Sequence, residues 1–356
     1  MTHTKTYLTV VGLFLATLCT GTFGGQAFAQ ATTATLYTAG TDVFPDVGTH
    51  LGSPAGGFHD GTYFWVADRA SDLGRLTPVP ELNRLPITGG DYLFLFSPLF
   101  PELLPPLIQN NLILTGVGLL AGQPAYDRTT GIGYVPYGRS GRGGPGILRF
   151  QITDSLGTSA VAIATTAGLS GRKVRAVAVG PDGHLYVGMD GSGDILRIVN
   201  PRIGTTQVVQ TIGKNVNGRP VYGLAFLGSD LYIAQKDGLT RIANVTACTS
   251  GCQAVVVPGS TLNQTHWAIA ADTTTNTLYV AQNAQIFAYN VAAQTQTPVL
   301  NAGTYPNGEA VPLNFSNTGA GLTIDGNRTL WIGDNVATGL TFEGRVWTLQ
   351  LPAIAP

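Results

Sequence analysis

The chain has 356 residues, of which 11% are charged, and its formal net charge is −1 at pH 7. Nearly balanced charge without a Lys/Arg cluster excludes the basic stripe of a nucleic-acid-binding surface, so no nucleic-acid partner is expected. A hydrophobic share of 44% and 47 glycines are typical of a turn-rich β protein. They exclude a disordered chain, which combines high charge with few apolar residues.

The first 29 residues have the parts of a secretory signal peptide. Lys5 lies in a short leading region, residues 8–18 are an apolar core, and residues 27–29 form a small-x-small cleavage site. The apolar run is too short to span a bilayer comfortably, so no transmembrane segment is expected in the mature chain. The sequence therefore predicts a periplasmic or secreted protein in which residues 30–356 form a single domain.

Six copies of a short strand recur along this domain. Each copy has an aromatic residue, then a β-branched residue, then usually a small one. The aromatic residues are Trp65, Tyr134, Tyr186, Tyr232, Tyr279 and Trp331. After a first gap of 69 positions they stand 46 to 52 positions apart, a period that suits a four-stranded propeller blade. The sequence therefore predicts an all-β fold, a six-bladed β-propeller.

The two ends of the chain are predicted to meet in the last blade. Within each copy, apolar runs of four to six residues alternate with Gly/Asp/Pro turns, as in an antiparallel meander. The sixth copy has no fourth strand after Leu351, whereas residues 33–38 form an isolated strand with no blade of its own. Because closure removes exposed sheet edges, we expect this N-terminal strand to complete the last blade and close the ring.

Residues 84–118 break the period between blades 1 and 2. They form an apolar segment that is interrupted by Pro98, Pro101, Pro105 and Pro106, which exclude a continuous helix. The segment is expected to be an insertion that folds over a blade edge or plugs one face of the ring. The alternatives are a protein contact or a membrane-surface contact through residues 92–114, since a large apolar patch often marks an interaction site.

Cys248 and Cys252 are the two cysteines that remain once the signal segment is removed. In an exported protein this spacing predicts a disulfide that closes a hairpin. A lone C-x3-C motif has no second pair of ligands for zinc, so a metal site is not expected there.

Three turn-and-strand units, at residues 180–190, 274–283 and 326–335, resemble those of the NHL-repeat propellers. The wider superfamily contains the gluconolactonase-type calcium enzymes and the streptogramin lyases. This resemblance implies a polar funnel at one mouth of the ring, built from residues just before each inner strand and from nearby loops. The ligand-binding residues it implies are Gln123, Lys173, Arg175, Tyr222, His266, Trp267, Glu309 and Asn317.

The resemblance leaves the metal chemistry open. A calcium lactonase needs hard oxygen ligands that converge from several blades, and the entrances of the inner strands offer Asn317 and Gln123, with Glu309 nearby. Asp190 and Asp194 are weak candidates for a metal site, because the same loop fits ordinary hairpin chemistry. The sequence therefore assigns no metal ligand firmly.

Histidine chemistry is open in the same way. A streptogramin-type lyase would place His266 with Glu309 near a magnesium ion, and a quinone-dependent sugar dehydrogenase would place His266 with Arg175 and Lys173. His59 and His184 fall on turns at the other mouth, where solvated surface histidines are expected.

The predicted function is an exported propeller that acts as a ligand-binding or protein-interaction module. The partner at the funnel would be a small molecule or a protein. The alternative is a metal- or quinone-dependent lactonase, lyase or sugar dehydrogenase with its site in the same funnel. Calcium or magnesium, and after them a quinone, are the cofactors that this alternative implies.

Overall fold

The structure is a computed structural model. It describes residues 34–41, 54–71, 79–86, 93–94, 122–137, 146–152, 158–163, 169, 173–202, 208–214, 216–305, 307–316, 320–338 and 341–352. The predicted signal segment, residues 1–29, lies outside the described residues. Within the described residues, no helix is long and apolar enough to cross a membrane.

Nearly all of the described chain is β-strand, arranged in six sheets that we number as blades. The chain begins with β1 (Ala34–Thr41). Blade 1 contains β2 (Pro54–His59), β3 (Tyr63–Ser71), β4 (Val79–Pro86) and β5 (Leu93–Phe94). Blade 2 contains β6 (Ala125–Asp127), β7 (Ile132–Tyr137), β8 (Gly146–Ile152) and β9 (Thr158–Ile163). Blade 3 contains β10 (Lys173–Val179), β11 (Leu185–Asp190), β12 (Ile195–Val199) and β13 (Val208–Gly213).

The second half of the chain continues the pattern. Blade 4 contains β14 (Val221–Leu227), β15 (Asp230–Gln235), β16 (Gly238–Ile242) and β17 (Ala254–Val256). Blade 5 contains β18 (His266–Asp272), β19 (Thr277–Gln282), β20 (Gln285–Asn290) and β21 (Thr295–Leu300). A short hairpin, β22 (Ala302–Thr304) and β23 (Ala310–Pro312), precedes β24 (Ala320–Ile324), β25 (Thr329–Thr338) and β26 (Thr341–Gln350) of blade 6. Short 3-10 helices cover Val216–Gly218 and Val245–Ala247.

The first strand of each blade lines the axis, and these inner strands form a closed ring. In order around the ring, β2 contacts β6, and the contacts continue through β10, β14, β18 and β24 back to β2. Five blades are regular four-stranded antiparallel sheets, whereas blade 6 has six strands. The predicted all-β propeller is therefore confirmed, with one blade that departs from the regular pattern.

The six recurring aromatic residues lie on the second strands and are buried between blades. Their exposed fractions range from 0 to 3%. Tyr186 of blade 3 packs edge-on against Phe226 of blade 4, with ring centroids 5.0 Å apart. Phe64 of blade 1 stacks on Trp331 of blade 6 at 4.6 Å. Each sheet therefore covers the apolar face of the next, which is how the repeat produces a continuous core.

Aspartates in the turns after the inner strands accept hydrogen bonds from three of these aromatics. Trp65 Nε1 donates to Asp60 at 2.7 Å, Tyr186 Oη to Asp182 at 2.8 Å, and Trp331 Nε1 to Asp325 at 3.0 Å. The repeated turn thus satisfies the polar atom of a side chain whose body is buried, as Trp and Tyr require in a core.

Two further turn aspartates form ion pairs between blades. Asp127 of blade 2 pairs with Arg202 of blade 3 at 3.0 Å, and Asp272 of blade 5 pairs with Arg328 of blade 6 at 2.7 Å. Burial raises the pKa of Asp272, but hydrogen bonds from Thr274, Arg328 and Thr275 outweigh this and hold it below its ordinary value. The carboxylate therefore stays ionised and links neighbouring blades.

The N-terminal strand closes the ring in blade 6, as predicted. β1 pairs antiparallel with β26, with Leu36 opposite Trp347 and Ala39 opposite Arg345. The hairpin of β22 and β23 then extends the sheet on the other side of β1, where Ala34 lies opposite Gly303. A Cβ at Gly303 would lie 2.4 Å from the Trp347 ring, so only glycine fits this position. The repeat pattern of the sequence did not predict the hairpin of β22 and β23.

A fully buried ion pair lies inside blade 6. Arg345 Nε donates to Asp334 Oδ1 at 3.0 Å, its Nη2 donates to Oδ2, and Trp347 Nε1 donates to Oδ1 at 2.8 Å. The backbone N–H of Asn314 donates to Asp334 Oδ2 at 2.8 Å. Arg345 and Trp347 both lie on β26, the strand that receives β1, so the network supports the closure.

The predicted insertion begins later than the sequence suggested. Residues 84–86 belong to β4, and β5 pairs with β4 through Asn83 with Phe94 and Arg84 with Leu93. The first residues of the apolar segment therefore belong to blade 1, whose fourth strand is β5. The remainder of the segment, and most of residues 92–114, lies outside the described residues.

The predicted disulfide is present between Cys248 and Cys252, whose Cα atoms are 6.0 Å apart. Cys248 ends the 3-10 helix Val245–Ala247, and the backbone N–H of Cys252 donates to the Ile212 carbonyl of blade 3 at 2.7 Å. The bridge therefore shapes the connection before β17 and holds it against the neighbouring blade.

Candidate functional site

The inner strands all begin at one end of the ring, which we call the upper mouth, and end at the lower mouth. Near the upper mouth, four inner strands break register with their second strands. In blade 1 the break lies between Pro54 and Gly56. In blades 3, 4 and 5 the pairing skips one residue between Val174 and Ala176, between Val221 and Gly223, and between His266 and Ala268. The residues skipped in these three blades are Arg175, Tyr222 and Trp267. β-bulges of this kind re-aim a side chain and are common beside functional sites.

The three bulged side chains contact one another across blades 3, 4 and 5. The Arg175 guanidinium lies over the Tyr222 ring at 5.5 Å from its centroid, and the Tyr222 and Trp267 rings are 4.8 Å apart at an angle of 44°. Arg175 is 7% exposed, whereas both rings are partly exposed. We call this set the funnel row. Cation–π and ring contacts of this type each contribute about 0.5–2 kcal/mol.

Carboxylates flank the funnel row. Burial raises the pKa of Tyr222, and the negative charges of Asp190 and Asp237 raise it further, against the opposite effect of Arg175. Asp237 is paired with Arg219 at 2.8 Å. Tyr222 is therefore a neutral phenol near pH 7 that offers an O–H beside a positive guanidinium.

Lys173 is exposed at the start of β10, opposite Asp190 in the strand register.

The loop that follows Asp190 is an ordinary hairpin. The Asp194 N–H donates to Ser192 Oγ at 3.3 Å, and the Asp194 carbonyl accepts from the Met189 N–H at 3.0 Å. Across the described part of the chain, no three His, Cys, Asp or Glu side chains are grouped so as to hold a metal ion.

His266 is fully buried next to Trp267 instead of facing the funnel. Its Nδ1 donates to the Gln264 carbonyl at 3.0 Å, and its Nε2 accepts from the Gln282 amide at 2.5 Å. Burial lowers the pKa of His266 to about 4, against the opposing effect of hydrogen bonds to the backbone of Gln264 and Gln235. The ring is therefore neutral, and both of its nitrogens are engaged in the core.

Gln123 lies inside the ring, where it joins three blades. Its backbone forms a parallel bridge with Ala176 of blade 3. Its side-chain amide donates to the Leu224 carbonyl of blade 4 at 2.8 Å and accepts from the Leu224 N–H at 3.1 Å. Both amide groups are thus used by the backbone of blade 4.

Glycines allow the inner strands to approach one another at this level. A Cβ at Gly56 would lie 2.9 Å from the Gln123 Cα, one at Gly223 2.8 Å from the Gln123 side-chain oxygen, and one at Gly321 2.5 Å from the Gly56 Cα. This close packing therefore requires glycine at these three positions near the axis.

Glu309 is not part of the funnel row. It is exposed on the turn between β22 and β23, and these strands lie four and five places away from the inner strand of blade 6 in the sheet. Asn317 lies outside the described residues. Of the eight predicted residues, Arg175, Tyr222 and Trp267 form one cluster, with Lys173 at its edge.

The described residues do not fit the cofactors that the resemblance implied. The amide oxygen of Gln123 accepts from the Leu224 N–H, and among the described residues no group of three His, Cys, Asp or Glu side chains could hold a metal ion beside it. His266 has no nitrogen available to act as a base beside a quinone or a metal. We therefore derive no chemical step through a metal or a quinone.

A groove of about 640 Å³ opens beside the upper mouth between blades 5 and 6. It is lined by Thr261, Gln264, Gln282, Asn283, Ala284, Gln285, Phe287, Asn301, Ala302 and Pro312. The Asn283 amide donates to the Gln264 side-chain oxygen at 2.8 Å. All of the lining side chains are uncharged, so the charged part of the upper mouth is the funnel row.

The lower mouth differs from what the sequence predicted. His59, expected to be a solvated surface residue, is only 6% exposed. The reason is that Phe58 and Tyr126 stack at 5.4 Å, which brings blade 2 over the end of β2. The nearby Arg128 approaches His59 Nε2 at 2.5 Å.

No protein-family model matches the sequence, and no curated protein matches it. Among solved structures, a gluconolactonase from Xanthomonas campestris is similar, with 13% identity, a TM-score of 0.52, and 85% of this chain and 87% of that chain covered. A luciferin-regenerating enzyme is similar with 13% identity, a TM-score of 0.53, and coverage of 89% and 98%. At this identity the likeness shows the fold alone. The class of protein is thus a β-propeller.

Proposed function

We propose that this propeller is a binding module whose funnel row takes a small ring-shaped ligand that carries an anionic group. The observation that supports it is the contact chain of Arg175, Tyr222 and Trp267, three side chains placed by successive bulges on three blades. In keeping with its N-terminal segment, we place this activity outside the cytoplasm, in a periplasm or the medium.

The funnel row offers two kinds of group to such a ligand, aromatic rings and a positive charge. The partly exposed faces of Tyr222 and Trp267 offer apolar area to the flat side of a sugar or an aromatic ring. The positive charge of the Arg175 guanidinium beside these rings favours an anionic group on the ligand. Because the strands hold all three side chains in contact before any ligand binds, little ordering is needed on binding.

Binding, and not catalysis, is the activity that these residues support. A general base has to reach the proton that it abstracts. His266, the base that the sequence suggested, is buried and has both nitrogens engaged. Tyr222 has a raised pKa and is neutral near pH 7. Its hydroxyl group therefore donates a hydrogen bond and does not act as a base.

Trp267 provides the measurement. The chain has four tryptophans, and Trp65, Trp331 and Trp347 are at most 2% exposed. A ligand on the funnel row should therefore change the emission of Trp267 alone. We would titrate the purified chain with glucuronate and benzoate as anionic probes, and with glucose and benzyl alcohol as their uncharged counterparts.

The anionic probes are expected to bind more tightly than the uncharged ones. Arg175→Met should weaken the anionic probes about tenfold, Arg175→Lys less, and Lys173→Met little, because Lys173 is exposed at the edge of the row. Equal binding of charged and uncharged probes, or no response to Arg175→Met, would overturn the proposal. Turnover of a sugar lactone by the purified chain that is lost in Arg175→Met would replace it with the enzymatic alternative.

A further inference from the structure

The groove beside the upper mouth is a second candidate site, separate from the funnel row. It is formed by the connection from blade 4 to blade 5, by the β19–β20 loop with the start of β20, and by the hairpin of β22 and β23. Its volume of about 640 Å³ is usual for a small-molecule site. We call it the amide groove, because five of its ten described lining residues carry a side-chain amide: Gln264, Gln282, Asn283, Gln285 and Asn301.

Most of these amides can be reached from solvent. Gln264, Asn283, Gln285 and Asn301 are exposed. Within the described part of the chain, the side chains of Gln285 and Asn301 form no hydrogen bond with the protein. The Asn283 amide donates to the Gln264 side-chain oxygen at 2.8 Å, which leaves the Asn283 oxygen and the Gln264 NH2 group open to a ligand. The groove therefore presents both donors and acceptors.

The backbone of the β19–β20 loop is held in place. Gln282 pairs with Gln285, so the two strands are joined by a two-residue turn, and Asn283 in this turn has the left-handed φ of 48°. The Asn283 carbonyl accepts from the Phe315 N–H at 2.9 Å. Because this backbone is ordered before any ligand binds, less entropy is lost on binding.

The hairpin of β22 and β23 adds a wall that the regular blades lack. Ala302 and Pro312 lie opposite each other in this hairpin, and both line the groove. The Leu313 N–H donates to the Asn301 carbonyl at 3.2 Å, which closes the hairpin next to Asn301. Blades 1 to 5 are four-stranded and have no such hairpin. This departure from the repeat pattern thus encloses the groove.

The lining favours a neutral ligand with hydroxyl groups. None of the described lining residues is charged, so a charged ligand group would lose water without gaining a partner of opposite charge. A side-chain amide offers an acceptor and a donor side by side, and a hydroxyl group both donates and accepts. Phe287, which is partly exposed, adds an apolar surface. A sugar, with neutral hydroxyls and an apolar face of C–H groups, has the matching chemistry.

The strand arrangement separates a sugar from an extended peptide. A peptide commonly binds by adding a strand to a free sheet edge. β20, which carries Gln285 and Phe287, is already paired with β19 on one side and with β21 on the other. Pro312 on β23 has no backbone N–H to donate. The groove therefore has to recognise its ligand mainly through side chains.

We propose that the amide groove binds a neutral oligosaccharide, with the side chains of Gln285 and Asn301 as hydrogen-bonding groups and Phe287 as the apolar contact for one sugar unit. This site goes beyond the proposed function of the funnel row, because it shares no side chain with Arg175, Tyr222 or Trp267. The proposal holds whether or not the funnel row binds an anion.

Maltose, cellobiose and lactose are suitable probes, because they are neutral and carry many hydroxyls. Isothermal titration of the full chain is expected to show binding of at least one of them at millimolar concentration. Gln285→Ala and Asn301→Ala are each expected to weaken that binding about tenfold, as the loss of one hydrogen bond does. Both residues are exposed, so both variants should fold. Gln253→Ala removes an exposed amide outside the groove, and this matched control should bind like the parent chain.

A third variant tests the aromatic contact. Phe287→Leu keeps an apolar side chain but removes the flat ring, and it is expected to weaken sugar binding about threefold to tenfold while thermal unfolding stays cooperative. The proposal is wrong if none of the three sugars binds at millimolar concentration, or if binding is unchanged in Gln285→Ala or in Asn301→Ala. Tighter binding of a blocked tetra-alanine peptide than of any of the sugars would also overturn it, because the groove would then recognise a peptide.

Discussion

Blades 3 to 5 and blade 6 are built from the chain in different ways. Blades 3, 4 and 5 are each formed by one continuous stretch of the chain, in which every strand pairs with its neighbours in sequence. Blade 6 joins the two ends of the chain: Thr35 pairs with Thr348, 313 positions away. Closing a long loop costs more entropy than closing a short one, and its contacts form later in folding. The comparison teaches that the repeats specify the blades, whereas the ring depends on one long-range sheet.

The strongest test of this difference is the removal of β1. Deletion of residues 1–41 exposes the edge of β26 and uncovers Trp347, which is fully buried in the intact chain. We expect the cooperative unfolding transition to be lost or the midpoint to fall steeply, as followed by circular dichroism. Deletion of residues 1–32 only, which retains β1, is the control and should unfold like the parent chain. A cooperative chain without β1 would show that the regular blades hold the ring alone.

The second effect in size concerns the buried pair of blade 6. Arg345→Met leaves the Asp334 carboxylate buried without its partner, and we expect a loss of about 3–5 kcal/mol in the free energy of unfolding. Urea unfolding measures it. Arg219→Met, which breaks an exposed pair beside blade 4, is the control and should lose at most about 1 kcal/mol. Equal losses would mean that the closing blade is no more dependent on its polar network than a surface loop.

The smallest effect concerns the link between blades 5 and 6 at the lower mouth. Asp272→Asn removes the carboxylate that pairs with Arg328, with an expected loss of about 2 kcal/mol at pH 7. The folded pKa of Asp272 lies below the ordinary 3.8, so its stabilisation is fully present above that value and is lost as the pH falls through the folded pKa.

Urea unfolding at several pH values checks the sign. The difference between the parent chain and Asp272→Asn should be constant from pH 7 to pH 5 and should shrink below the ordinary carboxyl pKa. Asp237→Asn, which removes a more exposed carboxylate, is the control and should cost less stability at pH 7. A difference that grows in acid would contradict the assignment.

Much of the fold was predictable because the same pattern of aromatic, β-branched and small residues recurs six times, once in each blade. A large aromatic such as Tyr186 or Trp331 recurs at a fixed period because each blade needs one to fill the space beside its neighbour. The closure by the N-terminal strand was predictable as well, since an unpaired strand and an incomplete blade satisfy each other.

The parts that were not predictable depend on single contacts between distant residues. The Gln123 side chain pairs with a backbone 101 positions away, and no local pattern marks that bond. His59 lies in a turn motif that looks exposed, yet it is buried, and Arg128 of the next blade contacts its ring. The hairpin of β22 and β23 has no counterpart in the other blades, so a repeat-based reading does not include it.

The candidate site was predictable in part for the same reason. Arg175, Tyr222 and Trp267 occupy equivalent places in three copies, so alignment of the copies grouped them. Alignment of the copies does not give the burial of each residue. His266 precedes Trp267 directly, yet it is fully buried, because successive side chains of a strand point to opposite faces of the sheet.

The amide bridge of Gln123 also makes three blades depend on one side chain. Its amide donates to the Leu224 carbonyl and accepts from the Leu224 N–H, and its backbone bridges Ala176, so blade 2 is joined to blades 3 and 4 at the axis. Local opening of blade 2 therefore breaks bonds in both neighbours, and hydrogen exchange of the Leu224 amide reports on it.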